Sequence, residues 1–130
     1  MIDALRILRD YLVADADVLA LVGDRIYAGR DVPPVGYTPA QGGCVTFRLR
    51  GGFPTYSDEF LVARVQCQCY GRDEVDAEAV YRAVFSRWHN AVSREIAHGE
   101  CEVLGQTLEE PQTQWRFTLV YFMFMLRVGL

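Results

Sequence analysis

The chain has 130 residues, 51% of them hydrophobic and 12% aromatic, with a formal net charge of −4. This length fits one folded domain, and the hydrophobic content excludes a disordered chain. The acidic balance argues against a protein whose main task is to grip nucleic acid.

The same sequence gives no sign of secretion or of a membrane span. Its longest apolar run, residues 119–126, is far shorter than the roughly 20 residues that cross a bilayer. The first residues resemble the start of an amphipathic helix more than a signal peptide. Four cysteines without a secretory context indicate reduced thiols in a cytosol.

The N-terminal third is predicted to hold two helices and a long loop. Apolar residues at helical spacing predict a helix over residues 2–14, and a short second helix follows over 18–22, ended by Gly23. Residues 25–27 form a short extended piece. Prolines and glycines are so frequent in 30–43 that a loop is expected, and a loop of this length is often functional.

Two alternating segments, 44–50 and 60–70, predict an antiparallel hairpin. If the polar sides of its strands coincide, Arg48, Arg50 and Arg64 share one face. Such a stripe could meet phosphate or acidic groups on a neighbouring subunit, or simply be solvated. The long tip carries Phe53, Pro54 and Tyr56, which either contact a partner or fold back over the core.

A helix over residues 73–92, with Asp73 as its N-cap, is predicted to cover the apolar face of that hairpin. Cys67 and Cys69 would lie on that face as small core residues, because structural zinc sites usually space their paired thiols more widely. His89 and His98 have no spacing that indicates a catalytic triad. We therefore expect no enzyme activity, no metal and no cofactor.

The last element, residues 112–128, alternates at first and is then apolar on both sides. Trp115, Phe117, Leu119, Tyr121, Met123 and Met125 share one face, and Val120, Phe122, Phe124, Leu126 and Val128 share the other. A strand of this kind is covered on both faces, and in so small a protein the second cover is expected from another subunit.

Together these elements predict an α+β fold in one domain over residues 1–130. We expect an antiparallel sheet of about four strands with two main helices packed on one face. The residues expected at a subunit or partner interface are Tyr37, Phe53, Tyr56, Arg48, Arg50, Arg64, Phe122, Phe124, Leu126 and Val128.

This order of elements resembles a known family. The segment 15–27, which includes Leu-Val-Gly-Asp-Arg-Ile-Tyr at 21–27, stands just ahead of Pro33 and Pro34. A hairpin, a helix after Tyr70-Gly71 and a long amphipathic strand follow. The pattern is similar to the small tail-terminator, or tail-completion, proteins of long-tailed bacteriophages and related tail-like particles.

The resemblance implies a structural virion protein that performs no reaction. Its subunits would form a ring, hexameric in the family, that caps the head-proximal end of the tail tube and stops polymerisation. The implied partners are further copies of itself, the tail tube protein and a head-completion or neck protein. DNA would pass through the lumen without specific binding, and the particle would assemble in the cytoplasm of a bacterial host.

Two alternatives stay open from the sequence. One is a head-closure or neck connector subunit, which differs from a terminator in the partners that it binds. The other is a small ligand-binding module or enzyme that uses a pocket between helix 73–92 and the sheet.

Overall fold

The structure is a computed structural model that describes residues 2–54 and 59–129. Within these ranges the helices are α1 (Ala4–Val13), α2 (Ala16–Val22) and α3 (Glu74–Trp88), with a short 3-10 turn at Pro39–Gln41. The strands are β1 (Ile26–Ala28), β2 (Cys44–Pro54), β3 (Phe60–Gly71), β4 (Ile96–Glu109) and β5 (Arg116–Arg127). In the described ranges, no helix has the length and apolar content needed to cross a membrane.

Each of the three helices begins at an aspartate. The carboxylates of Asp3, Asp15 and Asp73 accept hydrogen bonds from backbone N–H groups three residues further on, at 3.1, 3.1 and 2.9 Å. These bonds satisfy N–H groups that the first helical turn leaves without partners. The α3 helix ends at Trp88, four residues before the predicted end, and Asn90 takes a left-handed φ of 63°.

The sheet has five strands in the order β1-β2-β3-β5-β4, and it is mixed. Strands β2, β3, β5 and β4 pair antiparallel in that spatial order, whereas β1 runs parallel to β2. The α+β class is therefore confirmed. The expectation of about four antiparallel strands is close but not exact, because a fifth strand, β1, joins the sheet in the parallel direction. A three-residue strand carries too little alternation to reveal its pairing.

The sequence favours a strand over residues 100–104, but β4 is longer and runs over Ile96–Glu109. Its pairing with β5 shifts register at three places, between Ile96 and His98, Cys101 and Val103, and Val103 and Gln106. Each bulge reverses the in–out order of the side chains that follow it, which hides the strand from a period-two pattern.

The main core lies between the helices and one face of the sheet. Trp88 of α3 is fully buried, and its ring meets those of Phe47, Phe122 and Phe124 edge-on, each at 5.2 Å between centroids. Leu8 and Leu12 of α1 and Val18 and Val22 of α2 join the same cluster, so all three helices cover this face.

This core corrects one part of the predicted interface. Phe122, Phe124 and Leu126 are fully buried inside the protomer, so they are core residues and present no surface to a second subunit. The half-buried side of β5 is the one that carries Leu119, Tyr121, Met123 and Met125. Alternation separates the two faces of a strand, but it does not reveal which face the helices cover.

Trp88 generates the first testable prediction. Trp88→Ala should lower the free energy of unfolding by about 3–5 kcal/mol, because it empties the centre of the core. Trp88→Phe should cost clearly less. It keeps a ring there, and it removes the indole N–H, which is buried without an acceptor among the described residues.

Urea unfolding of both variants measures the difference. Val92→Ala, at a side chain that is 62% exposed, is the control and should change stability by no more than about 0.5 kcal/mol. Equal losses for the alanine and phenylalanine variants would contradict this account of the core.

Candidate functional site

The face of the sheet opposite the helices is divided into a covered end and an open end. The loop of residues 29–43, which we term the strap, covers the end formed by Cys44, Tyr70 and Phe117. The rest of this face, which we term the open face, carries the following side chains: Arg48 and Arg50 of β2, Arg64 and Gln66 of β3, Glu100, Glu102 and Val103 of β4, and Tyr121, Met123 and Met125 of β5.

One residue, Asp31, ties the strap to the sheet. Its carboxylate oxygen Oδ1 accepts hydrogen bonds from Arg48 Nε at 2.6 Å and from Gln66 Nε2 at 3.1 Å. Its backbone carbonyl accepts from the hydroxyls of Thr46 at 2.8 Å and Tyr70 at 3.3 Å. Asp31 therefore contacts both β2 and β3, and it fixes where the strap stops and the open face begins.

Tyr37 anchors the far part of the strap from below. It is only 4% exposed, its ring lies 5.5 Å from that of Trp115 and 6.5 Å from that of Tyr70, and its hydroxyl donates to the carbonyl of Gly42. Burial raises the pKa of its hydroxyl well above the ordinary value. The predicted interface residue Tyr37 is thus buried between the strap that carries it and the sheet, away from the protein surface.

The three arginines predicted to form a stripe do lie on one face. Arg48 pairs with Asp31, and Arg64 Nε lies 3.5 Å from Glu102 Oε1. Arg50 Nη1 donates to Gln66 Oε1 at 2.6 Å and to the Tyr121 hydroxyl at 3.4 Å, and its guanidinium lies 5.6 Å from the centre of the Tyr121 ring. Because carboxylates of this chain neutralise two of the arginines, the stripe is less cationic than its sequence suggests.

A shallow cleft crosses β2, β3, β5 and β4. It is lined by Arg50, Arg64, Val65, Glu102, Val103 and Tyr121. We term it the arginine cleft. Sequence reasoning identified its two arginines but missed Glu102 and the role of Tyr121. Tyr121 could have been found, because alternation already placed it opposite the buried Phe122.

Towards its tip the β2–β3 hairpin continues as a segment that we term the arm, residues 52–54 and 59–63, and β3 stays paired with β5 as far as Phe60. The base of the arm is a bulge between Leu49 and Gly52. Gly52 has a φ of 142°, and a Cβ there would collide with the carbonyl oxygen of Val62, so only glycine fits. Phe53 of the arm is 50% exposed, while the predicted contact Tyr56 lies outside the described residues.

The residues considered as metal-binding or catalytic candidates, Cys67, Cys69 and His89, have structural roles in the fold. Cys67 and Cys69 are fully buried with their sulfurs 3.8 Å apart, as the core interpretation predicted, and burial raises the pKa of Cys67 well above its ordinary range. His89 stacks on Phe85, and its Nδ1 accepts the backbone N–H of Cys101 at 3.1 Å. In the ranges 2–54 and 59–129, no cluster of His, Cys, Asp or Glu is arranged to hold a metal ion.

Val128, the last predicted interface residue, follows the end of β5 and is 37% exposed. Its backbone N–H donates to the carbonyl of Glu59, at the tip end of the arm. Val128 therefore lies beside the arm, where a partner can reach it.

Comparison with known proteins gives one informative result. No protein-family model matches the chain, and no curated protein sequence matches it. Among solved structures, the chain is similar to a chain of the "Virion of native gene transfer agent (GTA) particle", with a TM-score of 0.65 and 17% sequence identity. The match covers 93% of this chain and 92% of that chain. At this identity the likeness establishes a shared fold.

The anchoring role of Asp31 can be tested by proteolysis. Asp31→Ala removes the acceptor for Arg48 and Gln66, so the strap should open more often and expose Tyr37. Because these side chains are partly exposed, we expect a local cost of about 1 kcal/mol and severalfold faster chymotrypsin cleavage after Tyr37.

Asp24→Ala, which changes an exposed carboxylate just before β1, is the matched control and should leave that rate unchanged. Asp31→Asn keeps an oxygen acceptor and should lie between the two. If Asp31→Ala is cleaved at the wild-type rate, Asp31 does not hold the strap.

The buried thiols predict how stability depends on alkaline pH. Burial raises the pKa of Cys44 from 9.0 to about 12, so the unfolded thiol ionises first. The contribution of the protonated Cys44 thiol to the free energy of unfolding is fully present below pH 9.0 and is lost as pH rises towards about 12. The slope is at most about 1.4 kcal/mol per pH unit for each such thiol.

Urea unfolding under reducing conditions between about pH 8 and pH 11 measures this slope. Cys44→Ala should make the fall of stability with pH shallower by up to about 1.4 kcal/mol per pH unit, which corresponds to one proton. Cys101→Ala, at the less buried thiol, should change it less. A Cys44→Ala slope equal to that of the wild type would show that Cys44 ionises alike in both states.

Proposed function

We propose that this chain is a structural virion subunit of a long-tailed phage or a related tail-like particle. Its copies form a ring, hexameric as in the family that the sequence resembles. The ring caps the head-proximal end of the tail tube, stops tube polymerisation and joins the tube to the head or neck. In this proposal the chain catalyses no reaction and needs no cofactor.

The observation that carries the proposal is the fold likeness to a chain of a gene transfer agent virion. Because the match covers 93% of this chain and 92% of that one, it involves two whole chains of similar size rather than a shared fragment. The resemblance read from the order of sequence elements points to the same class of particle.

Two surfaces of the protomer support an assembly role. The open face presents arginines beside half-buried Tyr121, Met123 and Met125, and the arm presents the exposed Phe53. The proposed partners are other copies of this chain, the tail tube protein and a head-completion or neck protein. The net charge of −4 suits a subunit around a channel through which DNA passes without specific binding.

The geometry gives less support to a ligand-binding module between α3 and the sheet. That space is filled by Trp88, Cys67 and Cys69, all fully buried. A head-closure or neck subunit would share the fold and the particle, so it is separated from a terminator by experiment.

Deleting the gene for this chain from the genome that encodes the particle tests the proposal directly. Electron microscopy of the resulting lysate should show tail tubes of uncontrolled length and tailless heads, because nothing stops polymerisation. A wild-type copy supplied in trans should restore tails of uniform length. An early stop codon should reproduce the deletion, which excludes an effect on neighbouring genes.

Two other results would change the assignment. Tails of normal length that fail to join heads would indicate a neck subunit instead of a terminator. Normal, infectious or DNA-transferring particles in the absence of the gene would overturn the virion role altogether.

A further inference from the structure

We propose that the arginine cleft receives the acidic outer side of α3 from a second copy of this chain, so that copies join head to tail. The inference deepens the proposed function, because it rests on ring assembly and names the two surfaces that meet.

The first step is the placement of two like charges. Leu49 pairs with Val65 and Gly52 pairs with Ala63, so the bulged residues of β2, among them Arg50, stand opposite Arg64. Like charges directly opposite each other on neighbouring strands destabilise a sheet. The cleft therefore holds two like charges that repel each other across neighbouring strands.

The second step is that the protomer offsets this charge only in part. Glu102 lies 3.5 Å from Arg64, whereas in the described part of the chain Arg50 bonds neutral groups, those of Gln66 and Tyr121. A guanidinium that keeps free N–H groups beside an aromatic ring is suited to bind a carboxylate. A second carboxylate arriving from outside would complete the cleft.

The third step decides whether the cleft fits the carboxylates of a protein surface or the phosphates of a nucleic acid. Glu102 lines the cleft, and Asp31 and Glu100 lie on the same face of the sheet. A nucleic acid backbone would meet these carboxylates and be repelled by them. A protein surface with spaced acids and apolar side chains fits better, because Val103 and Tyr121 also line the cleft.

The fourth step identifies such a surface on the chain itself. Glu74 and Glu78 of α3 are exposed, and they form no ion pair within the part of the chain that the structure describes. Glu74 and Glu78 are one helical turn apart and so lie on one side of α3. The exposed apolar residue Val75 is carried by the same helix.

The last step is the relative position of the two surfaces. The helices pack on one face of the sheet and the arginine cleft lies on the other, so a protomer cannot bring Glu74 and Glu78 of its own α3 to its cleft. A contact between different surfaces of successive copies is heterologous. It closes into a ring when the rotation per subunit allows it.

Charge reversal and charge exchange test the inference on the full-length chain. Arg50→Glu with Arg64→Glu, or Glu74→Arg with Glu78→Arg, should each raise the concentration of half-assembly by about tenfold or more, as measured by sedimentation velocity. Combining all four changes restores opposite charges across the contact and the original net charge, so it should recover assembly.

Arg94→Glu with Arg116→Glu is the matched control. It reverses two arginines outside the cleft and should leave assembly unchanged. Circular dichroism and thermal melting of every variant check the fold. If a reversal unfolds the chain, Arg50→Gln with Arg64→Gln replaces it and should weaken assembly in the same direction.

Four results would overturn the inference: a wild-type chain that stays monomeric, reversals that assemble normally, an exchange that fails to rescue, or binding of duplex DNA that the cleft reversals abolish. Failure of the proposed function is distinguishable. In that case copies associate through the cleft, yet deleting the gene leaves the particles normal.

Discussion

The packing of Trp88 against Phe47, Phe122 and Phe124 is the contact on which the rest of the structure depends. It fixes α3 to one face of the sheet, and α1 and α2 join the same core. Because every helix is used on this side, the other face must be covered by loops, by solvent or by another chain. The functional hypothesis follows from that asymmetry, since the opposite face is where the chain still has surface to offer.

The strap covers part of that second face and defines what is left. Asp31 accepts four hydrogen bonds from residues of β2 and β3, and Tyr37 fills the space beneath the strap. Beyond Asp31 the face carries arginines and half-buried Tyr121, Met123 and Met125. The boundary between closed core and candidate interface is therefore set by polar contacts of a single loop residue.

Local patterns in the sequence predicted the central strands, the three helices and the aspartate cap of α3. Alternation also placed Arg48, Arg50 and Arg64 on one face correctly. The errors arose where tertiary structure decides. The strand β1 is too short to show a pattern, and bulges hide the alternation of β4. The strongly apolar Phe122, Phe124 and Leu126 were assigned to an interface, because alternation does not say which face of a strand the helices cover. Asp31 gave no local signal, because its partners are distant in sequence.

The central claim is that this chain is a structural subunit at the head-proximal end of a tail. A side-chain-resolution cryo-electron microscopy map of the particle purified from the strain that carries the gene tests it most directly. The account predicts density for this α+β fold in a ring between the tail tube and the head, with Trp88 inside each protomer and the open face turned towards a neighbouring chain. Purified particles whose ring at that position is built by a different chain, and which lack this protein altogether, would contradict it.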